Sequence, residues 1–176
     1  YEYCSTFYLL HSLTWAMLSG RKGKEPEPNP RFLSAATFAE FLELLAPMRS
    51  RLGMVMLQFE YLNKKKMASR EEFLKRLDAF LASVPPGVPV AVETRNNNYL
   101  TEAYFSVLRE RGAAHVFLQG YWMPPAAGVY AKFREHLVRA AVIRLHGPDR
   151  EGMEEKAGGS WDRIVLTTVT AVVGVV

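Results

Sequence analysis

Two hydrophobic patterns alternate along this chain, and the alternation limits the folds open to it. Short apolar runs, MVMLQFE (54–60), VPVAVETR (88–95), AAHVFLQG (113–120) and AVIRLHG (141–147), are separated by segments with helical spacing. These are REEFLKRLDAFLASV (70–84), LTEAYFSVLRERG (100–112) and VYAKFREHLVRA (129–140). Upstream, YEYCSTFY (1–8) reads as a strand, LLHSLTWAML (9–18) as a helix, and SAATFAEFLELLAPMRSRLG (34–53) as a second helix that Pro47 bends or shortens. The strand candidates are apolar on both faces, as in parallel sheets covered by helices on right-handed crossovers. The predicted class is α/β, a parallel (β/α) barrel of the TIM type or an open doubly wound sheet. Neither GxGxxG nor a P-loop follows any strand, so the usual nucleotide-binding open sheet has no motif behind it.

Local signals mark the helix ends. Ser34 or Thr37 is placed to cap the 34–53 helix, and Ser69 with Glu72 forms a capping-box pattern. Phe73, Leu74, Leu77, Phe80 and Leu81 fall on one stripe, PPG (85–87) stops that helix, and Gly112 is the residue past the end of the next. GRKGKEPEPNP (20–30) has little to bury and reads as a Pro/Gly-rich loop within a single domain spanning 1–176.

Polar residues cluster where the strands end. Glu93 and Arg95 are two apart, so on a strand they share a face. Gln58 and Glu60 follow Met54 and Met56 in the same phase, Arg144 and His146 close the 141–147 run, Gln119 closes 113–120, and Glu2, Cys4 and Thr6 share a face of the first run. In a barrel such tips converge at the C-terminal mouth, where barrel enzymes build their sites. Buried Glu–Arg pairs also serve as scaffold, and the sequence leaves open whether Arg144 partners Glu93 or faces a ligand. His115 begins its strand, and His11 and His136 lie in helical segments, so none of the three is expected in the site. The Lys64–Lys66 run reads as a solvated loop, and Trp15, Trp122 and Trp161 are packing or ring-stacking residues.

Composition bounds the rest. Twenty-two Lys and Arg against 18 Asp and Glu give a net charge of +4, which admits an anionic ligand without requiring one. A single cysteine, Cys4, rules out an intramolecular disulfide and fits a reducing compartment, and there is no Cys/His zinc pattern. No leader is apparent at the start and no run reaches the length of a membrane span, so the expected location is cytoplasmic. The apolar 166–176 segment reads as a buried or edge strand.

The stretches STFY (5–8), LGMVMLQF (52–59), VAVETRNNNYL (90–100), GAAHVFLQ (112–119) and VIRLHG (142–147), in this order, resemble the YecE-like family, domain of unknown function 72. The resemblance covers roughly residues 1–165 and implies a barrel similar to those of xylose isomerase and endonuclease IV, but no substrate. It points to Glu2, Thr6, Tyr8, Gln58, Glu93, Arg95, Arg144 and His146. Cys4 stands where the family tends to have Asn, Asn96 where a His often follows the Arg, and QFEY replaces a Pro-containing turn. The family also has a strand between the first helix and the Pro-rich loop, and WAMLSGRKGKEPEPNP (15–30) lacks its pattern, so the barrel is expected to be incomplete.

Together these readings predict an enzyme acting on a phosphate- or hydroxyl-bearing substrate, hydrolase- or isomerase-like. Glu93 or Glu60 is the candidate base and His146 the candidate acid. Arg95 and Arg144 would hold an anion, with Gln58, Glu2, Thr6, Tyr8 and Gln119 as further binding candidates. No cofactor motif is present. The likeness to isomerase and nuclease barrels admits a divalent metal on Glu93 and His146, though one well-placed histidine is a thin ligand set. The alternative is a non-catalytic binder of nucleic acid or a small anion.

Overall fold

The computed structural model describes residues 7–9, 18–19, 27–120, 122–138, 140–145, 155 and 157–158. Five parallel strands form its main sheet: β1 (Phe7–Leu9), β4 (Met54–Gln58), β5 (Val90–Glu93), β6 (Ala114–Gln119) and β7 (Val142–Leu145), in that spatial order. The order follows the chain, without the reversal that marks an open doubly wound sheet. Among the described residues β1 and β7 are the two edges and do not pair. Among the described residues four α-helices accompany the sheet: α1 (Ala35–Leu44), α2 (Arg70–Ala82), α3 (Glu102–Glu110) and α4 (Ala126–Phe133).

Near the start the structure departs from the expected elements. Leu9, expected to begin a helix, is the last residue of β1, and Leu18, expected to end it, lies in β2 (Leu18–Ser19). β2 pairs antiparallel with β3 (Glu27–Pro28), a short hairpin apart from the main sheet. Residues 10–17 and the 166–176 segment lie outside the described residues. β1 pairs directly with β4, Tyr8 opposite Val55, so no strand lies between the two in the main sheet.

Pro47 acts as its chemistry requires. The α-helix stops at Leu44 and a 3-10 segment runs from Ala46 to Arg51 with Pro47 in its first turn. Pro has no N–H for a continuing α-helix and crowds the preceding turn. Ser34, Ser69 and Thr101 each accept a bond from the backbone N–H three residues on, at 3.3, 3.1 and 3.4 Å. α3 ends in a Schellman turn: Ala113 N–H donates to the Leu108 carbonyl at 2.9 Å, Gly112 N–H to Arg109 at 3.1 Å, and Gly112 has φ +65°.

The two faces of the sheet are packed differently. Val55, Leu57 and Phe59, Val90 and Val92, and Phe117 point at the helices and meet Phe38, Phe73, Leu77, Phe80, Phe105, Leu108 and Phe133 in the main core. Rings there meet edge to face, as Phe59 with Phe73 at 5.0 Å, or stack, as Phe105 with Phe133 at 4.2 Å. Full burial of each such side chain contributes about 1.5–3 kcal/mol. The opposite face carries a smaller cluster of Met56, Ala91, Ala114 and Val116 with Met54 and Val142 against it. Strict alternation on β5 therefore sends Val92 to the helices and Ala91 and Glu93 to the other side.

Candidate functional site

Glu93 is the last residue of β5 and is fully buried. A charge there needs compensation, because burial in low dielectric disfavours it. The compensation comes from β7: Arg144 Nη1 donates to Glu93 Oε2 at 2.5 Å. β6 lies between the two strands, so the pair spans two strand spacings, roughly 9.6 Å. Two long side chains can meet across that gap. Arg95 Nε lies 3.9 Å from Glu93 Oε1, too far for a hydrogen bond but close enough for attraction. Both guanidinium side chains keep about a third of their surface exposed (33% for Arg95, 30% for Arg144) while the carboxylate keeps none. Glu93 Oε1 is buried and accepts no hydrogen bond.

β4 brings a second carboxylate to the same end of the sheet. Gln58 sits opposite Glu93 in the register and is half-buried. Two residues on, Glu60 Oε2 is paired with Lys66 Nζ, while its Oε1 is buried without a hydrogen bond. The β4–α2 loop that carries this pair is fixed from both sides. Asn96 is buried and clamps Leu62, its Oδ1 accepting from Leu62 N at 2.8 Å and its Nδ2 donating to Leu62 O at 2.9 Å. Asn63 Oδ1 accepts from the N–H groups of Lys65 and Lys66 at 3.0 and 3.2 Å. Removing the Asn96 amide leaves both Leu62 backbone groups buried and unmatched, at about 1–3 kcal/mol each. Asn96→Ala should therefore lose about 2–4 kcal/mol in urea denaturation. A loss below about 0.5 kcal/mol would show that the loop does not depend on the clamp.

The remaining candidates fall elsewhere. Gln119 alternates with His115 and Phe117, so it lies on the helix-facing side and not beside Glu93; exposed there, its Oε1 accepts from Ala126 N at 2.9 Å at the start of α4. Adjacent strand residues point to opposite faces, and it is Leu118, not Gln119, that pairs with Arg144. Tyr8 lies in β1 opposite Val55. Glu2, Thr6 and His146 lie outside the described residues. Among the described residues no three His, Cys, Asp or Glu side chains are grouped to hold a metal, and no helix is long and apolar enough to cross a membrane.

His115 is buried against Tyr104, Phe105 and Phe117, with the Tyr104 hydroxyl 3.1 Å from Nδ1. Burial lowers its pKa to about 3, so it is a neutral core residue. The same burial raises the Tyr104 hydroxyl far above its ordinary value, with the Glu93 charge adding to the effect. A cavity of about 380 Å³ lies at the opposite end of the sheet, between turns that precede the strands and include Gly53, Pro86, Gly112 and Ala140. That is the end where barrels carry stability and not chemistry.

Of the residues that build this end, sequence reasoning missed the roles of Asn96 and Lys66. Asn96 had a signal, the polar run that follows Arg95; Lys66 had none beyond its place in a lysine run.

The family model for a protein of unknown function, DUF72, matches residues 20–170. The chain belongs to the DUF72 family. The match covers every element that carries the Glu93, Arg144 and Glu60 side chains. No curated protein and no solved structure matches the chain.

Proposed function

We propose that this DUF72 protein is an enzyme that acts on a small phosphate- or hydroxyl-bearing molecule at the C-terminal ends of its parallel strands, within a single (β/α)-barrel domain. The observation that carries the proposal is Glu93: a fully buried carboxylate at a strand's end, bonded through one oxygen only, beneath two partly exposed arginines. Their exposed edges suit a tetrahedral anion. Glu93 Oε1, which has no hydrogen-bond donor among the described residues, is the acceptor this reading assigns as general base. His146, two residues past Arg144, is the acid in this reading. The fold adds an analogy: parallel α/β sheets bind ligands at the carboxyl ends of their strands.

The test is thermal melting with inorganic phosphate or sulfate. An anion held between the arginines raises wild-type stability by mass action, about 2.7 kcal/mol at one hundred times its dissociation constant. The increase should vanish in Arg95→Met, which spares the Arg144–Glu93 bond. An equal response in both proteins, or none in either, would remove the anion site. Retention of a long polyanion with steep salt dependence in place of a small-anion response would favour a non-catalytic nucleic-acid binder.

A further inference from the structure

Glu60, just past the end of β4, and Glu93, at the end of β5, repeat one arrangement. Each binds a cation through Oε2, Lys66 for one and Arg144 for the other, and each keeps Oε1 buried without a hydrogen-bond donor. A carboxylate oxygen left this way is costly, and such groups are kept for a reason, a catalytic or binding role among them. Both are acceptors only, so the complement must donate hydrogen bonds. Each Oε2 already has its cation. Gln58 stands opposite Glu93 with Glu60 two residues on, so with ordinary strand spacing and rise the Cα atoms of Glu60 and Glu93 are on the order of 8 Å apart. That is the scale of a sugar and not of a single hydroxyl group. The Asn96 and Asn63 bonds hold the loop in place before any ligand arrives.

We infer that the ligand is a phosphorylated polyhydroxy compound, of the sugar-phosphate class: its phosphate lies against Arg95 and Arg144 and its hydroxyl groups donate to Glu93 Oε1 and Glu60 Oε1. The inference rests on the anion site proposed above and adds Glu60 as the residue that selects for hydroxyl groups. Lys66 is a positioning residue, since it holds Glu60 by the other oxygen.

Calorimetric titration of wild type and Glu60→Gln with inorganic phosphate, a hexose 6-phosphate and the unphosphorylated hexose tests it. Glutamine keeps the shape of Glu60, whose side chain is 23% exposed, so the variant should fold, and its melting curve checks this. Wild type should bind the hexose phosphate on the order of tenfold more tightly than phosphate, the contribution of about one hydrogen bond to a charged acceptor. Glu60→Gln should lower that ratio severalfold without weakening phosphate binding, because a neutral amide oxygen accepts more weakly than a carboxylate while the Glu93 contact remains. If phosphate binds but the hexose phosphate binds no better, or if the ratio survives in Glu60→Gln, the inference is overturned and the anion site stands. If neither phosphate compound binds, the anion site falls and this inference with it.

Discussion

Arg144→Met is expected to destabilise the protein by about 3 kcal/mol, the lower end of the range for stripping a buried charge of its partner. The size follows from the asymmetry of the pair. Glu93 is fully buried and loses its only hydrogen bond, while methionine fills the space without replacing the donor. Two features hold the loss to the lower end. Arg95 still lies 3.9 Å away, and the Arg144 side chain is 30% exposed, so water gains a path to the carboxylate when it is shortened. Glu93→Gln in the same background should recover part of the loss, because an amide tolerates burial better than an unpaired carboxylate. A double-mutant cycle in urea should give a coupling on the order of 2 kcal/mol. Additive effects, with Arg144→Met alone costing less than about 1 kcal/mol, would show that the bond does not hold Glu93 in solution. This stability effect is separate from anion binding, which Arg95→Met probes with the Glu93–Arg144 bond intact.

Acid should weaken the fold through His115, in a pH window set by its two pKa values. In the folded protein burial lowers the pKa to about 3; in the unfolded chain it returns to its ordinary value of 6.5. Above pH 6.5 the ring is neutral in both states and contributes no pH dependence. Below it the unfolded chain takes up a proton that the folded protein refuses, so stability falls as pH falls, by up to about 1.4 kcal/mol per unit until the folded form also titrates near pH 3. The full effect is of order 4 kcal/mol. Asp78 adds to it at the acid end: its hydrogen bonds to Arg111, at 2.6 and 3.1 Å, lower its pKa, so its contribution is likewise lost on acidification. His115→Phe isolates the histidine, since a ring of similar size can occupy a pocket already walled by Phe105 and Phe117. Its stability between pH 4 and 6.5 should be flatter than wild type by about one kcal/mol per pH unit. Parallel pH profiles would mean that His115 is protonated or exposed in the native state.

Much of the architecture was legible in local chemistry. The Ser69 cap, the Phe73, Leu77, Phe80 and Leu81 stripe, the Gly112 terminator and the helix break at Pro47 each depend on residues within one or two turns, so the sequence shows them without reference to partners. The parallel sheet was legible for a related reason: strands β4, β5 and β6 are buried along nearly their whole length, and a sheet covered on both faces leaves an unbroken apolar run. The start of the chain was less so. Aromatic and apolar residues from 9 to 18 suit a helix or a strand equally, and the antiparallel pairing of Leu18–Ser19 with Glu27–Pro28 depends on a turn whose strands are only two residues long.

For the candidate site, period-2 alternation by itself determined that Glu93 and Arg95 share a phase and that Gln58 and Glu60 do, because side-chain direction on a strand is a local property. Only the tertiary structure decided which phase faces the helices. That choice separates Gln119 from Glu93 and puts His115 in the core, since the register sets Val92 beside His115 and Leu118 beside Arg144. Tertiary structure alone also joined Glu93 to Arg144 across an intervening strand, 51 residues apart in the chain, and Asn96 to Leu62, 34 apart. Those bonds depend on strand order and loop placement, which arise from packing the whole sheet and are encoded at no single position.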